Sequence, residues 1–464
     1  MTSAHEKLRQ RLEEFPIPCV EGKGIIEFLK LAYTEREAEI LSMFKSFQKF
    51  LTVEEFAREN NLNVDEVQDV FYSLAKRNLI RFEKKSSEEK FCIHPFVAGV
   101  FEAFFSAWKY QDPEKLLPAA QLLDEYFVDA FHKAASNSRS PWARVMPSIN
   151  AIGNLLEKYP ELEGGEEQSE KTVMDHVTKT TGLLKYGAKE VGRRIASGGF
   201  NELIDFAKSD GHVIVNSVAE GIASFLGFNK KPPRKQEKVI QVGESVPAKL
   251  MVHPFEVIKN YIDQASEIIV TTCSCRKKGE LLDSTRSEGE KQNCKHPVEG
   301  SCMQIKFEGE AHEYNMWGGR VVSKEEALKI LLECEKSGLV HTSFNSIEDI
   351  GFICNCCPCC CGILGTLTRF NQKHAAFVES NYIPYLATPE KCIACGTCAS
   401  RCPVNAILQE GEKQPIVDSS KCIGCGLCVS SCPKGVLELK RTKDQRPAMD
   451  MLEAHVKFAN DKLI

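Results

Sequence analysis

Residues 34–92 pass from a helical to a strand-like spacing of apolar positions. Three capping boxes mark three helix starts: Thr34 with Glu37, Thr52 with Glu55 and, as a weaker variant, Asn63 with Glu66. The third helix, VDEVQDVFYSLAKR, sets Val67, Val70, Phe71 and Leu74 on one face. LIRFEKKSSEEKFCIH then reads as two short strands around a charged turn. Residues 95–135 carry two aromatic-rich helical stretches, PFVAGVFEAFFSAWKY and LLPAAQLLDEYFVDAFHKA. Phe101, Phe104, Phe105 and Trp108 recur there at helical spacing, a stripe suited to core or to a partner helix rather than to a cofactor box. Polar SNSRSP closes this unit near residue 141.

The centre is less regular. A short helix is expected over 142–158, then an acidic break at ELEGGEEQSEK, then two or three helices over 172–227 divided at Gly198 and Gly199. NKKPPRKQEK reads as a solvated linker, and His176 and His212 stand alone without a ligand partner in sequence. From residue 239 the character changes. VIQVGESV alternates as a strand, HPFEVIKNYIDQA opens a helix after Pro254, and EIIVTTCSC is an apolar strand running into cysteines. SKEEALKILLECEKSG is a helix bounded by a Ser323–Glu326 box and Gly338, so Cys334 inside it reads as packing. A charged connector, KRTKDQRPAMD, leads to a last helix with Met451, Leu452, Val456 and Phe458 available to dock.

With 464 residues the chain has room for about three domains, and 43% hydrophobic residues suffice for real cores. A net charge of −5 argues against generic nucleic-acid binding. The opening MTSAHEKLRQRLEEF is polar rather than a secretion signal. The most apolar run, HVIVNSVAEGIASFLGF, carries Asn216, Glu220 and Ser224, so no membrane span is expected. Of 21 cysteines, 13 lie between Cys356 and Cys432, and runs such as NCCPCCC do not form a disulfide framework. A soluble, cytoplasmic protein of a reducing and anaerobic compartment is expected.

The cysteines carry the chemistry. KCIACGTCASRCP holds Cys392, Cys395, Cys398 and Cys402, and KCIGCGLCVSSCP holds Cys422, Cys425, Cys428 and Cys432. Each is a C-x2-C-x2-C-x3-C-P run of the kind that ligates 4Fe–4S clusters. Residues 388–440 resemble a bacterial dicluster ferredoxin module. In two-cluster ferredoxins the fourth cysteine of each run serves the other cluster. The resemblance therefore implies one cluster on Cys392, Cys395, Cys398 and Cys432, and a second on Cys422, Cys425, Cys428 and Cys402. Gly396 and Gly426 let backbone amides approach the anionic sulfurs.

Ten further thiols precede that module: Cys273, Cys275, Cys294, Cys302, Cys354, Cys356, Cys357, Cys359, Cys360 and Cys361. Eight thiolates would hold two more clusters and four would hold one; zinc is the structural alternative. Neighbouring side chains on an extended chain point to opposite faces, so the 354–361 run is expected either to be shared between two metal centres or to serve one centre with spare thiols. The simplest assignment puts one 4Fe–4S cluster on Cys273, Cys275, Cys294 and Cys302, with the 354–361 run holding or completing another. Arg276, Lys295, His296, Arg320 and His341 lie near these cysteines in sequence and could tune a cluster. This region resembles cysteine-rich domains fused to ferredoxin modules in anaerobe oxidoreductases. No GxGxxG after a strand, Walker A, HExxH or GxSxG motif occurs.

The 34–92 stretch resembles winged helix-turn-helix domains of bacterial regulators. A recognition helix places its N-terminal residues at base edges beside phosphates. Here that end carries Asp65, Glu66 and Asp69, with Lys76 and Arg77 at the far end, so DNA is not an expected partner. The expected architecture is an α+β multidomain chain: a winged-helix-like and helical domain at 1–141, a helical region and linker at 142–238, a cysteine-rich metal-binding α/β domain at 239–385, a ferredoxin-like dicluster domain at 386–442 and a C-terminal helix at 443–464. The expected role is electron transfer through 4Fe–4S clusters as subunit or partner of an oxidoreductase. A reductase with its site at the 354–361 cysteines and a redox-responsive regulator using the winged helix are the alternatives.

Overall fold

The computed structural model of the chain describes residues 2–15, 18–46, 49–85, 88–136, 143–163, 252, 256–307, 312–313, 316–348, 350–370 and 377–449. The helices expected at 172–227, the linker at 229–238, the strand at 239–246 and the helix from 451 onward lie outside the described residues.

Apolar stripes draw the N-terminal helices together. Helices Glu35–Ser42, Val53–Asn60 and Val64–Lys76 are followed by strands β1 (Arg81–Lys85) and β2 (Glu88–Cys92), paired antiparallel. Phe44, Phe56, Phe71 and Phe91 fill the centre, with ring centroids 4.5–5.7 Å apart. Both threonine capping boxes are complete. The third is half made. Asn63 accepts from the Glu66 amide, but the Glu66 carboxylate turns away to Arg36 at 2.7 Å, where a charged partner outcompetes a backbone amide. Helices Phe101–Ser106 and Pro113–Tyr126 close the same core, with Phe28 edge-on to Phe96 and Phe104.

The strands that follow, up to residue 378, are β3 (Ala143–Val145), β4 (Glu267–Thr271), β5 (Cys302–Lys306), β6 (His312–Glu313), β7 (Arg320–Val322), β8 (Val340–Phe344), β9 (Phe352–Cys356) and β10 (Phe377–Val378). Seven of them form one sheet in the order β10-β3-β8-β9-β5-β4-β7, antiparallel except for β10 with β3. β6 leaves this sheet and pairs with β1 instead. Helices Ile258–Gln264 and Lys324–Ser337 cover Ile268, Val270, Met303, Ile305 and Ile353. Residues 143–145 were expected at the start of a helix. They form a central strand because Ala143, Arg144 and Val145 find β8 on one side and β10 on the other. Helix Ile149–Lys158 begins only after Ser148, which caps it.

Strands β11 (Tyr382–Leu386), β12 (Ile407–Leu408), β13 (Ile416–Val417) and β14 (Leu437–Arg441) build the last unit. β11 pairs antiparallel with β14. Helix Ile149–Lys158 lays Ala151, Ile152 and Leu155 against Val429, Leu437 and Leu439. At the same junction Glu256 forms a buried pair with Arg441 at 2.6 Å and accepts from Tyr382 and Asn381. No helix among the described residues is long and apolar enough to cross a membrane.

Candidate metal centres

The two ferredoxin-like loops repeat in conformation as well as in sequence. Each turns through left-handed residues, Ala394 (φ 50°) and Gly396 (φ 75°) in the first, Gly424 (φ 69°) and Gly426 (φ 76°) in the second. Each glycine at the later position opens a short helix, Thr397–Arg401 and Leu427–Ser430. The turns aim backbone amides at sulfur: Ala406 N–H donates to Cys402 Sγ at 3.1 Å, and Thr397 and Leu427 do so for Cys395 and Cys425. A small cavity is lined by Cys392, Cys395, Cys398 and Cys432, three cysteines of the first run and the last of the second. Cys402 is instead the electrostatic neighbour of Cys422, Cys425 and Cys428. Burial pushes the Cys425 thiol up to about 12, which a bound cation would reverse.

The ten middle cysteines separate into two groups. In the first, Cys275, Cys361, Cys356, Cys354, Cys302 and Cys273 follow one another as neighbouring thiols. Three segments meet to make it. Cys273 caps the helix Ser274–Asp283 after β4, Cys302 opens β5 opposite Thr271, and Cys354 and Cys356 lie on one face of β9. S–H donation from Cys273 and Cys354 holds Cys302 well below the usual thiol range. Cys354, Cys361 and the Thr342 hydroxyl at 3.3 Å bring Cys356 down to about 6.

In the second group the sulfurs of Cys294, Cys357, Cys359 and Cys360 all lie within 4.8 Å of one another. Cys294 and Cys357 are 3.9 Å apart, and Cys359 and Cys360 3.8 Å. Donation from Cys294, Cys359 and Cys360 drives Cys357 far down as the shared thiolate. Gly279 leaves room for this group, since a Cβ there would stand 3.0 Å from Cys360 Sγ.

This partition corrects the grouping of Cys294 with Cys273, Cys275 and Cys302. The 284–301 loop brings Cys294 to Cys357, Cys359 and Cys360 at the turn after β9, while Cys273 and Cys302 are neighbours where β4 and β5 pair. The expected sharing of the 354–361 run holds through β9, where Cys356 and Cys357 part. It fails at Cys359 and Cys360, because residues 358–360 form a turn and adjacent side chains there converge.

Arg276 stands between the groups. It is 1% exposed, donates to the carbonyls of Pro297 and Asn355 at 2.7 Å each and to Ser301 Oγ at 2.5 Å, and faces Cys273, Cys302 and Cys357. Its charge offsets thiolates on both sides. The other charged neighbours differ. Arg320 pairs with Glu326 on the surface, Lys295 is exposed, and His296 bonds Ser337 Oγ at 2.9 Å. His341 bonds Asn355 Oδ1 at 2.6 Å and stands 3.8 Å from Glu335. Cys334 packs beside Cys357 and Cys360, and burial raises its thiol to about 12.

Sequence reasoning missed Asn355 and Glu335. Asn355 amide nitrogen donates to the Ser301 carbonyl at 2.5 Å, tying β9 to the loop before β5. Glu335 accepts from Ser148 Oγ at 3.0 Å and the Ile149 amide at 2.9 Å, while the Ser148 amide donates to the Cys425 carbonyl at 2.9 Å. A polar residue inside the CNCC run was the one local signal for Asn355; nothing local marks Glu335.

Residues 385–451 match the family model of the 4Fe-4S dicluster domain. No curated protein and no solved structure matches this chain. The matched stretch holds all eight cysteines of the two loops, and their all-sulfur donor sets fit 4Fe–4S clusters. The chain therefore carries an iron–sulfur domain joined to a second, cysteine-rich metal-ready region.

Proposed function

We propose that this chain carries electrons through 4Fe–4S clusters as a subunit or partner of an anaerobic, cytoplasmic oxidoreductase. One observation carries the reading: the second ferredoxin cysteine set abuts the cysteine-rich domain, while the first reaches solvent. Cys395 of the first set is exposed. Beside the second set, Ile423, Leu427 and Cys425 share an apolar cluster with Cys354, Cys356 and Cys361. Electrons would enter or leave at the first cluster, on Cys392, Cys395, Cys398 and Cys432. They would pass through the second, on Cys402, Cys422, Cys425 and Cys428, to a further iron–sulfur centre on the six-thiol group. Exposed Ile393, Leu408 and Ile416 around the first loop supply an apolar face for a redox partner.

The N-terminal order of three helices and a hairpin supports the winged-helix reading, and its surroundings favour a packing role over DNA contact. β6 covers the β1 edge, and Arg36 engages Glu66 at the end of the helix that would enter a groove. Lys278, from the cysteine-bearing helix, is buried against Asp124 at 2.7 Å and over the Phe127 ring.

The test is electron paramagnetic resonance with iron analysis on anaerobic full-length protein. Cys273→Ser and Cys302→Ser should each abolish one cluster signal and leave the two ferredoxin signals in place. Cys334→Ser should abolish none. Iron of about eight atoms per chain, unchanged by the first two substitutions, would limit the path to the two ferredoxin clusters.

A further inference from the structure

We infer that Cys294, Cys357, Cys359 and Cys360 form a separate centre for a single tetrahedral metal ion, zinc or iron, and not for a four-iron cluster. The argument is one of size. Four thiolates around one ion at about 2.3 Å stand about 3.8 Å from each other, the edge of a tetrahedron. The pairs Cys294–Cys357 and Cys359–Cys360 are at 3.9 and 3.8 Å, and all four sulfurs fall within 4.8 Å. In a cubane each thiolate binds a different iron, which spreads the sulfurs to roughly 6 Å or more.

The same chain contains its own comparison. Among the described residues, neither four-cysteine set of the ferredoxin loops gathers to within 4.8 Å, although those loops match a cubane-binding family. The difference is therefore a property of these four residues and not of cysteine-rich loops in general. A disulfide does not explain it, because both pairs are far beyond the bond length of about 2.05 Å and all four sulfurs converge on one point.

The surroundings suit a compact anionic centre. Arg276 faces Cys357 from the buried side, and Gly279 admits Cys360 where a Cβ would crowd its sulfur. The ligands also do a structural job. Residues 284–301 contain no strand or helix, and an ion shared by Cys294 and the 357–360 segment would pin that loop to the end of β9. Tetrathiolate zinc would act as a staple; tetrathiolate iron would also accept one electron.

The experiment uses full-length protein purified anaerobically, with zinc and iron counted per chain in the wild type, Cys294→Ser and Cys359→Ser. Each substitution should remove one metal ion and leave the cluster iron and its paramagnetic signals unchanged. Loss of one zinc identifies the staple; loss of one iron, with disappearance of a high-spin ferric signal, identifies the electron acceptor. Loss of about four irons would overturn the inference in favour of a cubane, and loss of no metal would overturn it outright. Should the variants fail to fold, the unmodified protein decides. X-ray absorption at the zinc edge should show four sulfurs at about 2.3 Å with no neighbouring metal; in the iron form, Mössbauer spectra should contain one mononuclear component. Absence of both would overturn the assignment.

Discussion

Replacing Gly424 by alanine should unseat the second ferredoxin cluster and spare the first. Gly424 has φ 69°, where an L-residue is strained by about 1 kcal/mol. Its Cβ would fall well under 3.0 Å from both Ser380 Oγ and the Tyr382 carbonyl oxygen. Ser380 can rotate, although it now donates to the Gly424 carbonyl at 2.6 Å; Tyr382 is the first residue of β11 and is fixed by pairing with β14. Overpacking against backbone adds about 1 to 3 kcal/mol, so the total cost is about 2 to 4 kcal/mol. The repeat supplies the control, since the equivalent position in the first loop is Ala394 at φ 50°. Ala394→Gly should change stability by less than about 1 kcal/mol. The assay is iron content and denaturant midpoint on anaerobic protein, with paramagnetic resonance after reduction. Gly424→Ala should fall towards half the ferredoxin iron, and the magnetic interaction between two reduced clusters should vanish. Unchanged iron and a midpoint shift equivalent to under about 0.5 kcal/mol would refute the claim that β11 closes over the second loop.

Three further outcomes follow from buried charges. Asp124→Ala strands Lys278, whose side chain is 3% exposed, and should cost about 3 to 5 kcal/mol, whereas Asp124→Ala with Lys278→Met should recover most of it in thermal unfolding. Arg276→Met removes three hydrogen bonds and the cation between the thiol groups, so metal analysis should show loss from the cysteine-rich domain while the ferredoxin signals persist. Glu335 is buried, which opposes ionisation, yet His341, Ser148 and Asn150 hold its carboxyl below the ordinary value. Its stabilisation is thus present above the unfolded carboxyl pKa of about 4.3 and lost as pH falls through the lower folded value; Glu335→Gln should flatten the acid limb of stability against pH, and an unchanged limb would contradict this.

What could be read from the chain was local. The ferredoxin runs were legible because the first three cysteines of each sit within seven residues. The capping boxes at Thr34 and Thr52 and the Gly338 stop were legible because both partners lie on one helical turn. The partition of the middle cysteines was not, because it depends on β4, β5 and β9 pairing across tens of residues and on a turn at 358–360 that breaks the strand alternation. β3 escaped for a related reason: three residues carry no periodic signal, and their place between β8 and β10 is decided by the partners. Nothing local marks Lys278, because only the docking of its helix on Asp124 and Phe127 makes it a buried contact.

The central claim, electron transfer through clusters in series, is tested most directly by a potentiometric titration of the anaerobic full-length protein followed by paramagnetic resonance. The account predicts two reducible 4Fe–4S signals that broaden each other when both are reduced, and an additional signal that Cys302→Ser removes. A protein that binds zinc throughout, with no reducible iron centre, would contradict it.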